Sequence, residues 1–182
     1  MISPACMPEN LDRCLDERGY HVDAPTDVQW ADTTDVEQRL PVGHEVNLSS
    51  RLDADWMGVY QEGVSDSDEI AKKESLIQRI GAESMLARVS IGGQVVSVGL
   101  GVFDRGWTGI FCMHTLNKHR RCGYARSVLG ALTRWGHEKG ALKMYLQVEC
   151  SNPGARTFYE HSGFLTRYGY HYRTKEAFTH HA

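Results

Sequence analysis

No stretch of this chain is apolar over the ~20 residues that a bilayer crossing needs, and Met1 to Asp16 has no basic segment followed by a hydrophobic one. A membrane span and a secretory signal are both missing, so the cytoplasm is the expected compartment and no membrane partner is expected. The five cysteines, Cys6, Cys14, Cys112, Cys122 and Cys150, are odd in number and include no C-x-x-C pair. That argues against a disulfide framework and against a zinc knuckle; no metal is expected, and the thiols read as buried or incidental. Net charge is low as well, at −3, but it hides a polarity. Residues 1–74 carry 6 Lys/Arg against 17 Asp/Glu, a net of −11, whereas residues 75–182 carry 14 against 6, a net of +8. A basic half can signal a nucleic-acid surface, but these cations are not interleaved with stacking aromatics, so no nucleic acid is expected. What is present, 182 residues with 41% hydrophobic content, is enough for one sizeable core and an appendage.

The most informative run is Arg120-Arg121-Cys122-Gly123-Tyr124-Ala125, between the apolar Ile110 to Leu116 and the amphipathic Ala125 to Trp135. A strand that turns sharply into a helix leaves the first helical N–H groups unpaired at the positive end of the macrodipole, where a phosphate can accept them. Gly123 has no side chain to block that approach. Lys118, Arg120, Arg121 and Arg126 add charge of the matching sign. Ala125, Val128, Leu129, Leu132 and Trp135 then fall on one helical face, and Gly140 fits the stop. A solvated basic turn would share the glycine and the charge, so the run alone leaves both readings open.

Elsewhere the pattern alternates between helix and strand. Pro8 to Arg18 reads as a short helix stopped at Gly19, and Tyr20 to Trp30 as an extended segment interrupted by Pro25. Residues 31–44, polar and carrying Pro41 and Gly43, read as a connector. Glu45 to Ser49 is a candidate first strand of the main domain. Asp53 offers an N-cap for one helix and Ser67 or Asp68 for the next, with the acidic link Glu62 to Asp66 between them. Met85 to Ile91, Gly92-Gly93 and Val95 to Phe103 form a hairpin signal. Asp104-Arg105-Gly106 makes a second turn before Trp107 to Thr115, and Leu142 to Val148 returns as an apolar strand. The helix closed by Gly19-Tyr20 is echoed by Ala155 to Ser162 closed by Gly163-Phe164. The echo reads either as the remnant of a second unit or as two ordinary helix stops.

Arg120-x-x-Gly123-x-Ala125 resembles the Q/R-x-x-G-x-G/A signature of the GNAT superfamily of acyl-CoA-dependent N-acetyltransferases. Tyr145 to Glu149, Asn152-Pro153, and Ala155-x-x-Phe158-Tyr159-Glu160-x-x-Gly163-Phe164 are similar to that superfamily's later strand, its Asn-containing turn and its helix ending in Gly-Phe. The resemblance covers roughly residues 45 to 173 and implies an α/β (α+β) fold: a mixed, mostly antiparallel sheet flanked by helices, preceded by a short helix-strand appendage. The domain division expected is 1–44 for appendage and connector, a remnant of a second GNAT-like unit being one reading of it, and 45–182 for the acetyltransferase. The resemblance implies acetyl-CoA as donor and a primary amine as acceptor. Coenzyme A also accounts for the basic half of the chain.

By the same resemblance, Arg120, Arg121, Cys122, Gly123, Tyr124, Ala125 and Arg126 would hold the pyrophosphate, and backbone groups of Met113, His114 and Thr115 the pantetheine and the acyl carbonyl. Asn152 would tie the strand end to the cofactor, or serve plain turn chemistry. Tyr159 would protonate the departing thiolate, unless it is a packed tyrosine. The amine must lose its proton, and the superfamily often has a carboxylate for this on the strand before the phosphate turn. Here Cys112, Met113 and His114 stand there instead. His114, or Glu149 through a water, is a candidate general base, and no dedicated base is the remaining option. The acids Glu62, Asp66, Asp68 and Glu69 could steer a cationic acceptor such as an aminoglycoside or polyamine, or simply be solvated. A peptide or protein acceptor, a non-catalytic acyl-CoA- or nucleic-acid-binding module, and a homodimer remain open. The final expectation is that residues 20–30 pair with the C-terminal sheet, in this chain or in a dimer partner, so as not to leave an open edge.

Overall fold

The computed structural model describes residues 1–175; the polar tail read beyond Arg173 lies, from Glu176 on, outside them. The fold is mixed α/β, with seven strands, mostly antiparallel, and six α-helices among the described residues. The chain forms two compact units, Ala31–Leu146 and Met1–Trp30 with the segment from Gln147 on. No helix among the described residues is long and apolar enough to cross a membrane, and all five cysteines are free thiols.

In the unit Ala31–Leu146 the strands run β2 (Asn47–Ser49), β3 (Glu83–Ile91), β4 (Gln94–Asp104), β5 (Trp107–Thr115) and then the start of β6 (Lys143–Glu149). The first three pairings are antiparallel, and β5 pairs in parallel with β6 over Trp107–Ile110. The β3–β4 hairpin closes through Gly92 (φ 57°) and Gly93 (φ 82°), two successive positive dihedrals of the kind a two-residue turn between right-twisted strands requires. The alternating faces of β4 explain how both sides of the sheet are covered. Val98 and Leu100 join Trp56, Met57 and Val59 of α3 (Ala54–Tyr60) in one buried cluster. On the other face, a Cβ at Gly99 would fall 2.7 Å from Val128 and one at Gly101 3.1 Å from Trp135, both in α5 (Tyr124–Glu138). Strand glycines here let a helix lie close to the backbone, and leucine and tryptophan of the helix fill the space.

Asp53 caps α3 by accepting from the Trp56 N–H, as its position suggests. The cap of α4 (Ser67–Gln78) is neither Ser67 nor Asp68 but Asp66, whose carboxylate accepts from the N–H groups of Asp68 and Glu69. The stretch read as a connector, 31–44, is also corrected: Thr33–Arg39 forms α2, with Val36 0% and Leu40 2% exposed. Leu40 packs where Gly130 leaves room on α5.

The second unit is built from two helix–strand pairs. Helix α1 (Leu11–Glu17) leads into β1 (His21–Asp32), and α6 (Pro153–His161) into β7 (Leu165–Thr174). Both helices stop in the same way. Gly19 N–H donates to Asp16 and Tyr20 N–H to Leu15, and Gly163 N–H donates to Glu160 and Phe164 N–H to Tyr159. Each glycine takes a positive φ and each following aromatic closes the wider loop. Residues 20–30 do pair with the C-terminal strand: β1 and β7 are antiparallel from His21↔Thr174 to Trp30↔Leu165. The interruption read at Pro25 is a register shift between Asp23 and Thr26, beside Ala24 at φ 45°.

Candidate functional site

The end of β5 departs from regular strand. The parallel register with β6 runs to Ile110, and opposite β4 there is a bulge between the Val98 and Leu100 pairings that places Cys112 at φ 51°. A non-glycine residue in the left-handed region costs energy and is held there by surrounding packing. The bulge is followed by Met113, His114 and Thr115, all half-buried. Ser97 Oγ bonds Thr115 Oγ1 at 2.7 Å and donates to the His114 carbonyl at 3.2 Å, fixing this edge from β4.

A single 3-10 turn, Asn117–His119, leads from β5 into the glycine turn. Arg120 Nε donates back to the Thr115 carbonyl at 3.3 Å. Arg121 has φ 66° and Gly123 φ 84°, and α5 starts after Gly123 with no side chain capping its first turn. A Cβ at Gly123 would meet nothing nearer than His44 Nε2 at 3.9 Å, so the glycine serves the left-handed dihedral and an open approach rather than packing. Lys118, Arg120, Arg121, Cys122 and Arg126 are exposed, and Tyr124 and Ala125 half-buried. The turn is braced from inside its own unit. His44 Nε2 lies 3.0 Å from the Cys122 carbonyl, His44 N–H donates to Ser127 Oγ, and the His44 and Tyr124 rings are 4.6 Å apart. An uncapped helix start, two left-handed residues and exposed cations suit a diphosphate, and these are the residues that would hold one in acetyl-CoA.

Glu62, read as part of an acidic link, is bonded in the structure. One carboxylate oxygen lies 3.0 Å from His114 Nε2, and both oxygens accept from the Asn117 N–H, at 3.0 and 3.2 Å. The His114 bond holds the Glu62 carboxyl below its ordinary range; burial opposes this, and Asn117 and Arg120 add to it. Beside the bulge, burial pushes the Cys112 thiol and, more strongly, the Tyr60 hydroxyl up.

The remaining candidates lie in the other unit. Tyr159 is 8% exposed, packs edge-on to Phe164 at 5.9 Å, and is pushed up to about 12 by burial. Asn152 caps α6, its side-chain oxygen accepting from the Ala155 N–H at 3.0 Å. Glu149 is exposed and accepts from Ser151 Oγ.

The bulged end of β5, the glycine turn and α5 follow one another along the chain, and solved GCN5-related N-acetyltransferases share this fold. The chain is similar to a GCN5-related N-acetyltransferase from Kribbella flavida (18% identity, TM-score 0.64, 94% of this chain and 66% of that one). It is similar also to one from Sphaerobacter thermophilus (17%, 0.69, 93% and 56%). A third likeness is to AAC(6')-Iy in complex with the bisubstrate analogue CoA-S-monomethyl-acetylneamine (17%, 0.57, 72% and 99%). The chain thus spans two thirds or less of the first two. No curated protein matches it. The model of the family described as "Probable histone acetyltransferase Rv0428c C-terminal" matches residues 8–173, and the chain belongs to that family, within the GNAT superfamily of N-acetyltransferases.

Proposed function

We propose that this protein transfers the acetyl group of acetyl-CoA directly to a primary amine, with a small cationic molecule as acceptor. The observation that carries the reading is the left-handed Gly123 at the uncapped start of α5, reached from the bulged end of β5. Acetyl-CoA, when bound, supplies an activated thioester. The turn from Arg120 to Arg126 is assigned to its diphosphate. Backbone N–H groups of Met113 to Thr115 are assigned to the acyl carbonyl, where donors aimed at developing charge have most effect. His114 takes the proton that an ammonium, with a free pKa of about 10.4 if lysine-like, must lose before its nitrogen bonds the acyl carbon. By the family resemblance Tyr159 would be the proton donor to the departing thiolate; its ring is buried against Phe164, and burial pushes its hydroxyl up to about 12, which is also the setting of a packed tyrosine.

The small-amine acceptor is supported by the likeness to a structure holding an analogue that joins CoA to acetylneamine. A protein lysine is the second reading, favoured by the family's description. A thiol-release assay with aminoglycosides, polyamines and basic peptides separates them. Release with the small amines supports the proposal, and release with peptides alone moves the acceptor to protein. Acetyl-CoA binding without release in any case would leave a binding module.

A further inference from the structure

We infer that Glu62 is the positioning residue for His114, holding its imidazole in the Nε2–H tautomer so that Nδ1 carries the lone pair that accepts the amine proton. The inference rests on the acetyl-transfer reading above. Glu62 is placed firmly. It follows α3, whose Trp56, Met57 and Val59 are buried, and its own N–H donates to the Val59 carbonyl just before Gly63 turns the chain at φ 85°. Its side chain is 26% exposed and that of His114 23%, so the pair is screened less than a surface pair.

The tautomer follows from donor counting. An ionised carboxylate only accepts, so at 3.0 Å the ring nitrogen Nε2 must carry the proton. Neutral imidazole then has its lone pair on Nδ1. Once Nδ1 gains the proton, the carboxylate stabilises the imidazolium, as an opposite charge at hydrogen-bond distance does. The same carboxylate accepts from the Asn117 N–H at the start of the glycine turn, so one side chain fixes the base and the entry to the phosphate turn together. Arg120 acts on Glu62; Glu69 and Lys73 of α4 face Tyr60, and Lys73 also acts on Cys112; from β4, His114 meets the uncharged Ser97 and Val98. A pair that merely tied α3 to β5 would give the same bond lengths, so the test must read proton chemistry.

The experiment is nitrogen-detected NMR titration of His114 in the full chain, wild type against Glu62→Gln, alongside kcat/KM against pH with the amine identified by the release assay. Glutamine keeps an acceptor for Asn117 but removes the charge. The wild type should show the Nε2–H tautomer, and the variant should lose that preference. In the variant kcat should fall about tenfold or more, with KM for acetyl-CoA little changed. An Nδ1–H tautomer in the wild type, or a tautomer unchanged in the variant, overturns the positioning whatever the activity. A tautomer that changes while kcat and the pH profile of kcat/KM stay as in the wild type shows a structural pair only, and overturns the inference while acetyl transfer stands. A wild type that transfers acetyl to no amine overturns the parent reading, and the catalytic role of the dyad with it. If E62Q does not fold, Glu62→Asp, which keeps the charge on a shorter arm, gives the same readouts with a smaller change.

Discussion

At the level of single residues, Gly123 carries the sharpest expectation. Its φ of 84° is in the left-handed region, and the space around a would-be Cβ is open to 3.9 Å. Gly123→Asp would both strain the backbone and set a carboxylate at the helix start to which phosphate is assigned. Acetyl-CoA affinity measured by calorimetry should fall by at least tenfold, while the melting temperature drops only by the few degrees that about 1 kcal/mol of backbone strain implies. Affinity equal to wild type would remove the turn from the phosphate site. This residue was legible in sequence because a glycine between cations and an amphipathic run is a local pattern. Glu62 was not, since its partner His114 is 52 residues away and only folding brings them to 3.0 Å. As an acid in a polar link it was indistinguishable from the solvated Glu69, which pairs with its own helix neighbour Lys73.

Among the elements, α1 is held to β7 by charge more than by apolar burial, because no residue of α1 is buried. Asp12 accepts from Arg173 Nε and from His171 Nε2, both at 2.8 Å, and Asp16 accepts from Arg173 Nη1 at 2.6 Å. The Arg173 bond, then the His171 bond, lower the Asp12 carboxyl to about 2. A carboxyl lowered in the folded state contributes stability above its unfolded value of about 3.9 and loses it as pH falls through the folded one. The Tm gap between wild type and Asp12→Asn should therefore be full above pH 4 and close as pH falls to about 2. A gap that is constant with pH would show that the asparagine disturbs packing rather than a charge. The element pattern itself was largely readable: the Gly92-Gly93 hairpin, α5 and the paired Gly-aromatic stops each have local chemistry. Helix α2 was hidden because its only buried side chains, Thr33 and Val36, sit among Asp, Glu and Gln, and its stability comes from packing on α5 rather than from propensity. The cap of α4 slipped by one residue because Asp66, Ser67 and Asp68 are all good caps and periodicity does not choose between neighbours.

For the molecule as a whole, the first 44 residues contribute to both compact units. In one, β1 supplies the antiparallel partner of β7, and removing it would leave the backbone donors and acceptors of β7 from Leu165 to Thr174 open on that side. Leu165, Tyr168 and Tyr172 of this strand are already exposed, so an open edge would add backbone pairing to an apolar surface, the combination that promotes aggregation. In the other unit, Val36 and Leu40 are buried, and fully burying an aliphatic side chain is worth about 1.5–3 kcal/mol each. Those two side chains alone are worth about 3–6 kcal/mol, a large share of the 5–15 kcal/mol that holds a typical domain folded. The His44 brace on the Cys122 carbonyl and on Ser127 would be lost as well. Deleting residues 1–44 should therefore lower the melting temperature by more than 10 °C, yield soluble aggregates by light scattering, and weaken acetyl-CoA binding through the unbraced turn. A truncated protein that stays monodisperse, melts at the wild-type temperature and binds acetyl-CoA as before would show that neither the β1 pairing nor the α2 packing is needed to hold the fold.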